Sequence, residues 1–318
     1  MSKYAFVLLI LFGVLAGCGN EEQPAGDEPK AAELIAEEGF EADDDIVQGM
    51  YKRYIGTIAD MPVVVNLTDL DARLNGHYYY EKIGLPINIY SYHRDEDAEN
   101  EFVFGEYPPE HKDPQDKWYV TVQGDSIVGV WVNGDSTKSF PISLKEDYPE
   151  GIMRFGIVSV EESFPYKEGA SDPAAEVSYT VILPMGRSAG AQYVKAVISQ
   201  TVGCDTNAKN MQDCIQQKIE SYGKMYRQTM SDMGEDMDNS PMNNWDESIG
   251  ITIVYNANDI VVLDRGHYEY SGGAHGNHSD DYVNIDVRHQ KVMKLDDMMT
   301  VDSARLVQLI TPQLRKRF

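Results

Sequence analysis

The sequence predicts a two-part fold. An all-β antiparallel meander, closed as a barrel or stacked as a sandwich, is followed by an α+β domain with helices packed on an antiparallel sheet. Three observations carry this. Between about residues 49 and 148, short runs rich in Val, Ile and Tyr alternate with turn-forming pairs. From about residue 150, two strand-like runs give way to two stretches with helical spacing, and then strands return. Hydrophobic residues make up 42% of the 318-residue chain, enough to build cores rather than leave the chain disordered. At ~150 residues per domain, that length suits about two domains.

The chain opens on a basic residue, Lys3, an apolar stretch from Tyr4 to Val14, and then Leu15-Ala16-Gly17-Cys18. The stretch is too short to cross a bilayer core of ~30 Å as a helix, which makes it a signal (residues 1–17) rather than an anchor. The small residues before the cysteine resemble the lipobox of the bacterial lipoprotein signal. That resemblance implies cleavage before Cys18, a thioether-linked diacylglycerol on its sulfur and an acyl chain on its new amino group. An ordinary secretory signal is the alternative. No second apolar run near 20 residues follows, so the lipid alone holds the protein to the membrane; two or more acyl chains suffice for stable anchoring. Residues 18–48 read as an acidic, flexible tether: Glu21-Glu22, Pro24, Gly26, Pro29, Glu37-Glu38 and Asp43-Asp44-Asp45 leave little to bury. Acidic residues soon after a lipidated cysteine resemble the surface-export signal of some Bacteroidota lipoproteins. The expected address is the cell envelope, on the outer membrane, facing either the periplasm or the outside.

Fifty-two acidic residues against 27 basic ones give a formal net charge of −25. Such a surface repels phosphate backbones, which argues against nucleic-acid binding and favours cationic partners.

Within 49–148, candidate strands are Tyr54–Ile58, Val63–Leu67, His77–Glu81, Ile87–Ser91, Glu101–Glu106, Trp118–Gln123, Ile127–Val132 and Ser139–Leu144. Ala59-Asp60, Gly124-Asp125 and Gly134-Asp135 suit the tight hairpins between them. Asn75-Gly76-His77-Tyr78 and Val128-Gly129-Val130-Trp131 each place glycine just before an aromatic on a strand, where it permits a bend or a close backbone approach. This pattern resembles a glycine-aromatic β-module of Bacteroidota envelope proteins. A ligand cup and a barrel filled by its own side chains are both compatible with it.

Residues 150–318 form the second part. Strands Phe155–Glu161 and Glu176–Leu183 precede a helix after Ser188 whose inward face is Tyr193, Val194, Val197, Ile198 and Val202. A second helix, capped by Asn207 or Asn210, carries a stripe of Met211, Ile215, Tyr222, Met225 and Met230. Cys204 and Cys214 flank the turn between the helices. In an exported compartment they form a disulfide or remain two buried thiols; their spacing is not that of a metal knuckle. Strands return at Ile249–Tyr255, Ile260–Tyr270, Tyr282–Val287 and Val292–Leu295. A last helix begins near Thr300, with Ala304, Val307, Ile310 and Leu314 inward and Arg315-Lys316-Arg317 at its end.

One motif stands out: Tyr268-Glu269-Tyr270-Ser271-Gly272-Gly273-Ala274-His275-Gly276-Asn277 between two strands, then Val283-Asn284-Ile285-Asp286 and Leu295-Asp296-Asp297 opening a helix. Over residues 152–318 this resembles the RsiV/PdaC-like extracytoplasmic domain family, a domain of unknown function of the 3298 type. The resemblance implies a curved antiparallel sheet with helices on it, and a binding role outside the membrane, as in the lysozyme-binding member. Members continue with further strands after the last helix, so an ending at Phe318 implies truncation and an unpaired sheet edge. Gly272, Gly273 and Gly276 permit a sharp loop that gathers backbone N–H groups, making Gly272, Gly273, His275, Gly276 and His278 the candidate binding loop. The His275-x-x-His278 pair is short of the three or four placed ligands a zinc site needs, so no metal or other cofactor is expected. No nucleophile elbow, His-Glu-x-x-His helix or phosphate loop is present. The expectation is a non-enzymatic envelope lipoprotein that binds a lysozyme-like protein or a glycan. The alternatives are a small-ligand carrier using the β-barrel, or a peptidoglycan-modifying accessory protein.

Overall fold

The structure, a computed structural model, describes residues 47–71, 73–93, 100–108, 115–170, 173–204, 210–234, 241–300 and 302–317. Cys18, the signal and nearly all of the tether lie outside these residues.

Eight strands come first: β1 (Gly49–Ile58), β2 (Met61–Leu70), β3 (Arg73–Tyr80), β4 (Ile87–His93), β5 (Glu101–Tyr107), β6 (Lys117–Gln123), β7 (Ser126–Val132) and β8 (Ser139–Glu146). Each pairs antiparallel with the next, and β8 returns to β1, with Tyr54 opposite Glu146 and Ile58 opposite Ile142. The meander is therefore a closed barrel, which removes the exposed edges an open sheet would present. Tyr54, Tyr78, Phe104 and Trp118 are almost fully buried among Ile58, Val63, Val65, Leu67, Ile89 and Ile127. These side chains fill the interior. The first hairpin turns through Ala59 and Asp60, both left-handed at φ 51° and 62°, the two positive values that suit the strand twist of a two-residue loop. At Gly76 and Gly129 a Cβ would collide with the carbonyl oxygens of Asn66 and Tyr119 on neighbouring strands. These glycines serve the close backbone approach of a tightly coiled wall.

The chain continues with β9 (Phe155–Pro165), β10 (Ala174–Pro184), α1 (Ala189–Thr201), α2 (Met211–Met233), a short 3-10 turn (Pro241–Asn243), β11 (Trp245–Ala257), β12 (Ile260–Tyr270), β13 (Asn277–Asp286), β14 (Lys291–Met293), α3 (Leu295–Met298) and α4 (Ser303–Arg317). The sheet order is β14-β13-β12-β11-β10-β9-β1. Its neighbours are antiparallel except β10 and β11, which run parallel. The helix pair α1–α2 is the crossover that such a pairing requires. Ser188 caps α1, its Oγ accepting from the Ala191 N–H at 3.1 Å, and Asn210 caps α2, accepting from the Asp213 N–H at 2.7 Å. Asn207, the alternative cap, lies outside the described residues.

One sheet face and both helices make the second core. Tyr193, Val194, Val197 and Ile198 of α1 and Val202, its C-cap, all enter it, as the spacing predicts. On α2 the inward stripe is Met211, Ile215, Ile219, Tyr222, Tyr226 and Met230. Met225 is 49% exposed, because the 3.6-residue period puts position 226, not 225, beneath 222. The expected inward face of α4 is also corrected: Val307, Ile310 and Leu314 are all exposed. The sheet stops at the three-residue β14, and no described surface covers the helix that follows.

Cys204, just past α1, is bonded to Cys214 in α2, with Cα atoms 5.9 Å apart. The bridge ties the two helices at their turn. A loop of that size implies ~2–3 kcal/mol of stabilisation from chain entropy. Dithiothreitol, or a Cys204→Ser/Cys214→Ser double variant, is expected to lower the urea midpoint accordingly without abolishing folding.

The two cores meet at β1. Its C-terminal half closes the barrel, while Gly49 and Met50 pair with Ile157 and Gly156 of β9. Tyr54 and Ile58 point into the barrel; Tyr51, of opposite parity, packs edge-on to Phe155 in the second core at 6.0 Å. A polar chain is buried in this seam. Tyr51 Oη donates to Asn66 Oδ1 at 2.7 Å, so the Asn66 amide donates to His77 Nε2 at 3.1 Å. Nε2 must then accept, leaving the proton on Nδ1, which is satisfied by the Val254 carbonyl of β11. His77 is thus held neutral, its pKa lowered first by burial. Protonation favours the unfolded chain, so stability present above about pH 6.5 is lost as pH falls below it. Urea unfolding across this range should show a drop in the native chain that is absent in His77→Gln.

Candidate functional site

The register of β9 to β13 decides which side chains share the sheet face opposite the helices. Alternation along each strand and pairing across strands produce rows. One row is Ser178, Ser248, Tyr268 and His278. The next is Thr180, Gly250, Gly266 and Asp280. The third, nearer the barrel, is Thr252, Asp264 and Tyr282. On β9 and β10, Ser159 Oγ lies 3.0 Å from Thr180 Oγ1, and Ser163 Oγ donates to Glu176 Oε1 at 2.6 Å, on the same face. Farther toward the barrel this face is apolar and buried, at Phe155, Ile157 and Ile182. The exposed part is therefore a polar, acidic and tyrosine-bearing platform beside the barrel wall.

The glycine loop builds this platform. Gly272 and Gly273 take φ of 97° and 103°, a region other residues rarely enter. The turn lets Tyr270 Oη donate to the Gly273 carbonyl at 3.0 Å. Gly276 does not adopt positive φ. It is a glycine because the Tyr268 ring lies where its Cβ would be, 2.5 Å away. Two members of the loop thus fix the two tyrosines of β12 on the open face. His275 is exposed, with Nδ1 3.1 Å from the Gly276 carbonyl oxygen.

β13 begins at Asn277, five residues before the sequence predicted. The added pairing, from Glu269 with Asn277 to Arg265 with Asp281, turns the expected loop histidine His278 into a strand residue. Its Nε2 lies 3.0 Å from Asp280 Oδ2. His267 has the opposite parity on β12 and faces the helix side. His289 sits in the β13–β14 turn, 2.8 Å from Asp286. The histidines that lie close in sequence are therefore dispersed. Among the described residues no group of three or more His, Cys, Asp or Glu side chains converges as a metal site. Asp280 and Asp281 also part: Asp281 pairs with Arg265 at 3.1 Å on the helix side, and Asp280 stays on the open face. Burial and then the neighbouring Asp280 charge push the Asp264 carboxyl upward.

A second polar cluster, inside the barrel, was not among the expected sites. Glu106 Oε1 accepts from Tyr78 Oη at 2.7 Å, Trp118 Nε1 at 2.7 Å and Trp131 Nε1 at 2.9 Å. Glu106 is 5% exposed. Burial raises its carboxyl above the usual range, opposed by those three donors. The alternation Phe102, Phe104, Glu106 in the strand was the signal that could have placed it inside.

A cleft of about 450 Å³ lies where β10, the β11–β12 turn and the segment before β9 meet, lined by Met153, Met185, Asn256, Val261 and Val287 among others. Its polar lining is engaged internally: Asn256 pairs with the backbone N–H and C=O of Met153 at 3.0 and 2.7 Å, and Ser188 caps α1.

Residues 174–278 match the family model described as Deacetylase PdaC. This interval runs from β10 into β13 and ends at His278. Among solved structures, a DUF3298 family member from Bacteroides fragilis is similar at 19% identity and a TM-score of 0.44, covering 54% of this chain and 70% of that one. A DUF3298 family protein from Pseudomonas aeruginosa is similar at 15% identity and a TM-score of 0.35, covering 53% of this chain and 65% of that one. No curated protein matches the chain.

Proposed function

From a PdaC/DUF3298-type domain over residues 174–278, we propose a lipid-anchored, extracytoplasmic protein that captures a basic protein partner on the open face of its second sheet. The observation that carries this is the face itself. Asp246, Asp264, Asp280, Glu161 and Glu176 share it with Tyr268, Tyr270 and Tyr282, and the glycine loop fixes two of those tyrosines. Acidic side chains with aromatic planes are recognition chemistry for cations. A net charge of −25 steers such a partner toward the protein, and Cys18 would hold the assembly at the membrane. The lysozyme-like partner implied by the family resemblance is basic, which fits. The role is binding rather than catalysis. The carrier alternative gains nothing from the barrel, whose interior is occupied by Tyr54, Tyr78, Phe104 and Trp118.

Calorimetric titration of the chain with lysozyme at low ionic strength tests the proposal. Binding that weakens steeply as salt is raised supports it; no heat at low salt removes the lysozyme-like partner.

A further inference from the structure

Gly250 and Gly266 lie directly opposite each other on β11 and β12, and the folded chain does not account for either. At Gly76 and Gly129 on the barrel strands a neighbouring carbonyl leaves no room for a Cβ, and at Gly276 in the loop a tyrosine ring does the same. At Gly250 no described atom lies within 4 Å of the place a Cβ would take, and at Gly266 the neighbour is Asp280 Oδ1 at an ordinary 3.6 Å. Neither has positive φ. Glycine in a strand interior costs roughly 0.5–1 kcal/mol against alanine, and more against the β-branched residues strands prefer. Two bare positions side by side therefore leave open backbone where side chains would fit freely. Glycine of this kind marks a place where something outside the chain comes close.

We propose that this strip seats an arginine side chain of the basic partner, its guanidinium lying flat on the bare backbone of Gly250 and Gly266. This rests on the binding reading above and deepens it. The strip spans two adjacent strands, ~4.8 Å apart. Tyr268 stands in the row on one side and Tyr282 in the row on the other. Asp280 closes one end of the strip, and Asp264 stands beside it. Asp264 Oδ1 is covered and has no hydrogen-bond partner among the described residues, so this carboxylate is left without an internal donor beside the strip. A guanidinium matches each feature: it is planar, stacks on tyrosine, carries five N–H donors and is weakly hydrated. Lysine has the charge without the plane. A sugar ring would lie on the strip too, but it brings no positive charge to Asp264 and Asp280, of which only Asp280 has a partner among the described residues, His278 at 3.0 Å.

The test is titration of the full chain with a hexa-arginine peptide at low salt, compared with Gly250→Val. That variant changes no charge and its Cβ has no described atom within 4 Å, so general attraction to an acidic protein is preserved and the melting temperature should hold or rise. Affinity is expected to fall about tenfold or more, the loss of one well-placed contact. Tyr282→Ser, at a side chain 61% exposed, is a second charge-neutral variant expected to act in the same direction. Asp60→Asn, an exposed change on the barrel, should leave affinity nearly unchanged. Equal binding by native chain and both groove variants overturns the proposal, as does no hexa-arginine binding at all. Loss of a chitin oligosaccharide, rather than of the peptide, in Gly250→Val overturns it in favour of a glycan. If lysozyme still binds Gly250→Val fully, the groove fails while the broader reading stands. If hexa-arginine depends on Gly250 and lysozyme does not bind, the groove stands and that partner falls.

Discussion

Glu106→Leu is expected to cost the barrel roughly 3–5 kcal/mol, enough to leave a marginal domain largely unfolded. The substitution removes the acceptor shared by Tyr78, Trp118 and Trp131 and strands two fully buried donors and a partly buried one in an apolar interior. Glu106→Gln separates the hydrogen bonds from the charge. All three donors converge on one oxygen, which an amide carbonyl can replace, and the amide is neutral. Burial raises the native carboxyl's pKa, so the folded barrel favours the protonated acid. Stability from this group is fully present below about pH 4.5 and declines as pH rises through the folded value. Glu106→Gln should therefore match the native chain near pH 4 and equal or exceed it near pH 8, whereas Glu106→Leu should fall below it at both. Urea unfolding followed by tryptophan fluorescence reads this directly, because two of the three donors are indoles. A leucine variant as stable as the native chain would show that the network is dispensable.

Gly76→Val is expected to be at least as damaging, at roughly 3 kcal/mol or more. A Cβ at this position would collide with the Asn66 carbonyl and crowd the Leu67 backbone, and a strand backbone paired on both sides cannot yield cheaply. Asn66 also holds His77 in the seam, so a shift there would disturb both cores. The contrast with Gly250→Val is informative, since the same substitution in the same secondary structure should have opposite effects. Thermal melts of the two variants, run side by side, give the comparison. A melt for Gly76→Val within a degree or two of the native value would contradict the close approach.

Much of this architecture was legible in the sequence. Val-, Ile- and Tyr-rich runs between turn pairs located all eight barrel strands, although Val64 and Asn66, between the inward Val63, Val65 and Leu67, are buried as well. Helical spacing likewise found α1 and α2. What alternation cannot report is pairing. Nothing in Tyr54–Ile58 announces that β8 returns to it, or that Gly49 and Met50 belong to another sheet, since those are long-range events. The parallel β10–β11 pair was hidden for the same reason. Polar pairing hid the start of β13: Asn277 to Asp281 has no apolar residue, and only its ladder with Glu269 to Arg265 makes it a strand. The glycine loop was found but its role was not. Gly272, Gly273 and Gly276 suggested a ligand cradle of backbone amides, whereas Gly273 and Gly276 support tyrosines on the adjacent face. The open-face glycines were visible as interruptions in Ile249-Gly250-Ile251 and Arg265-Gly266-His267, yet their meaning depends on their meeting across strands.

β1 gives the molecule a mechanical character. Any load carried by the segment before Gly49 enters the strand that barrel and second sheet hold in common. The ladder to β2 runs from Met50 to Ile58, that to β9 holds Gly49 and Met50, and that to β8 runs from Tyr54 to Ile58, so tension along β1 is shared as shear across several ladders rather than opening one like a zipper. A partner tugging on the open face would pull against that same strand. Tension along β1 is therefore borne by the barrel and the second sheet together.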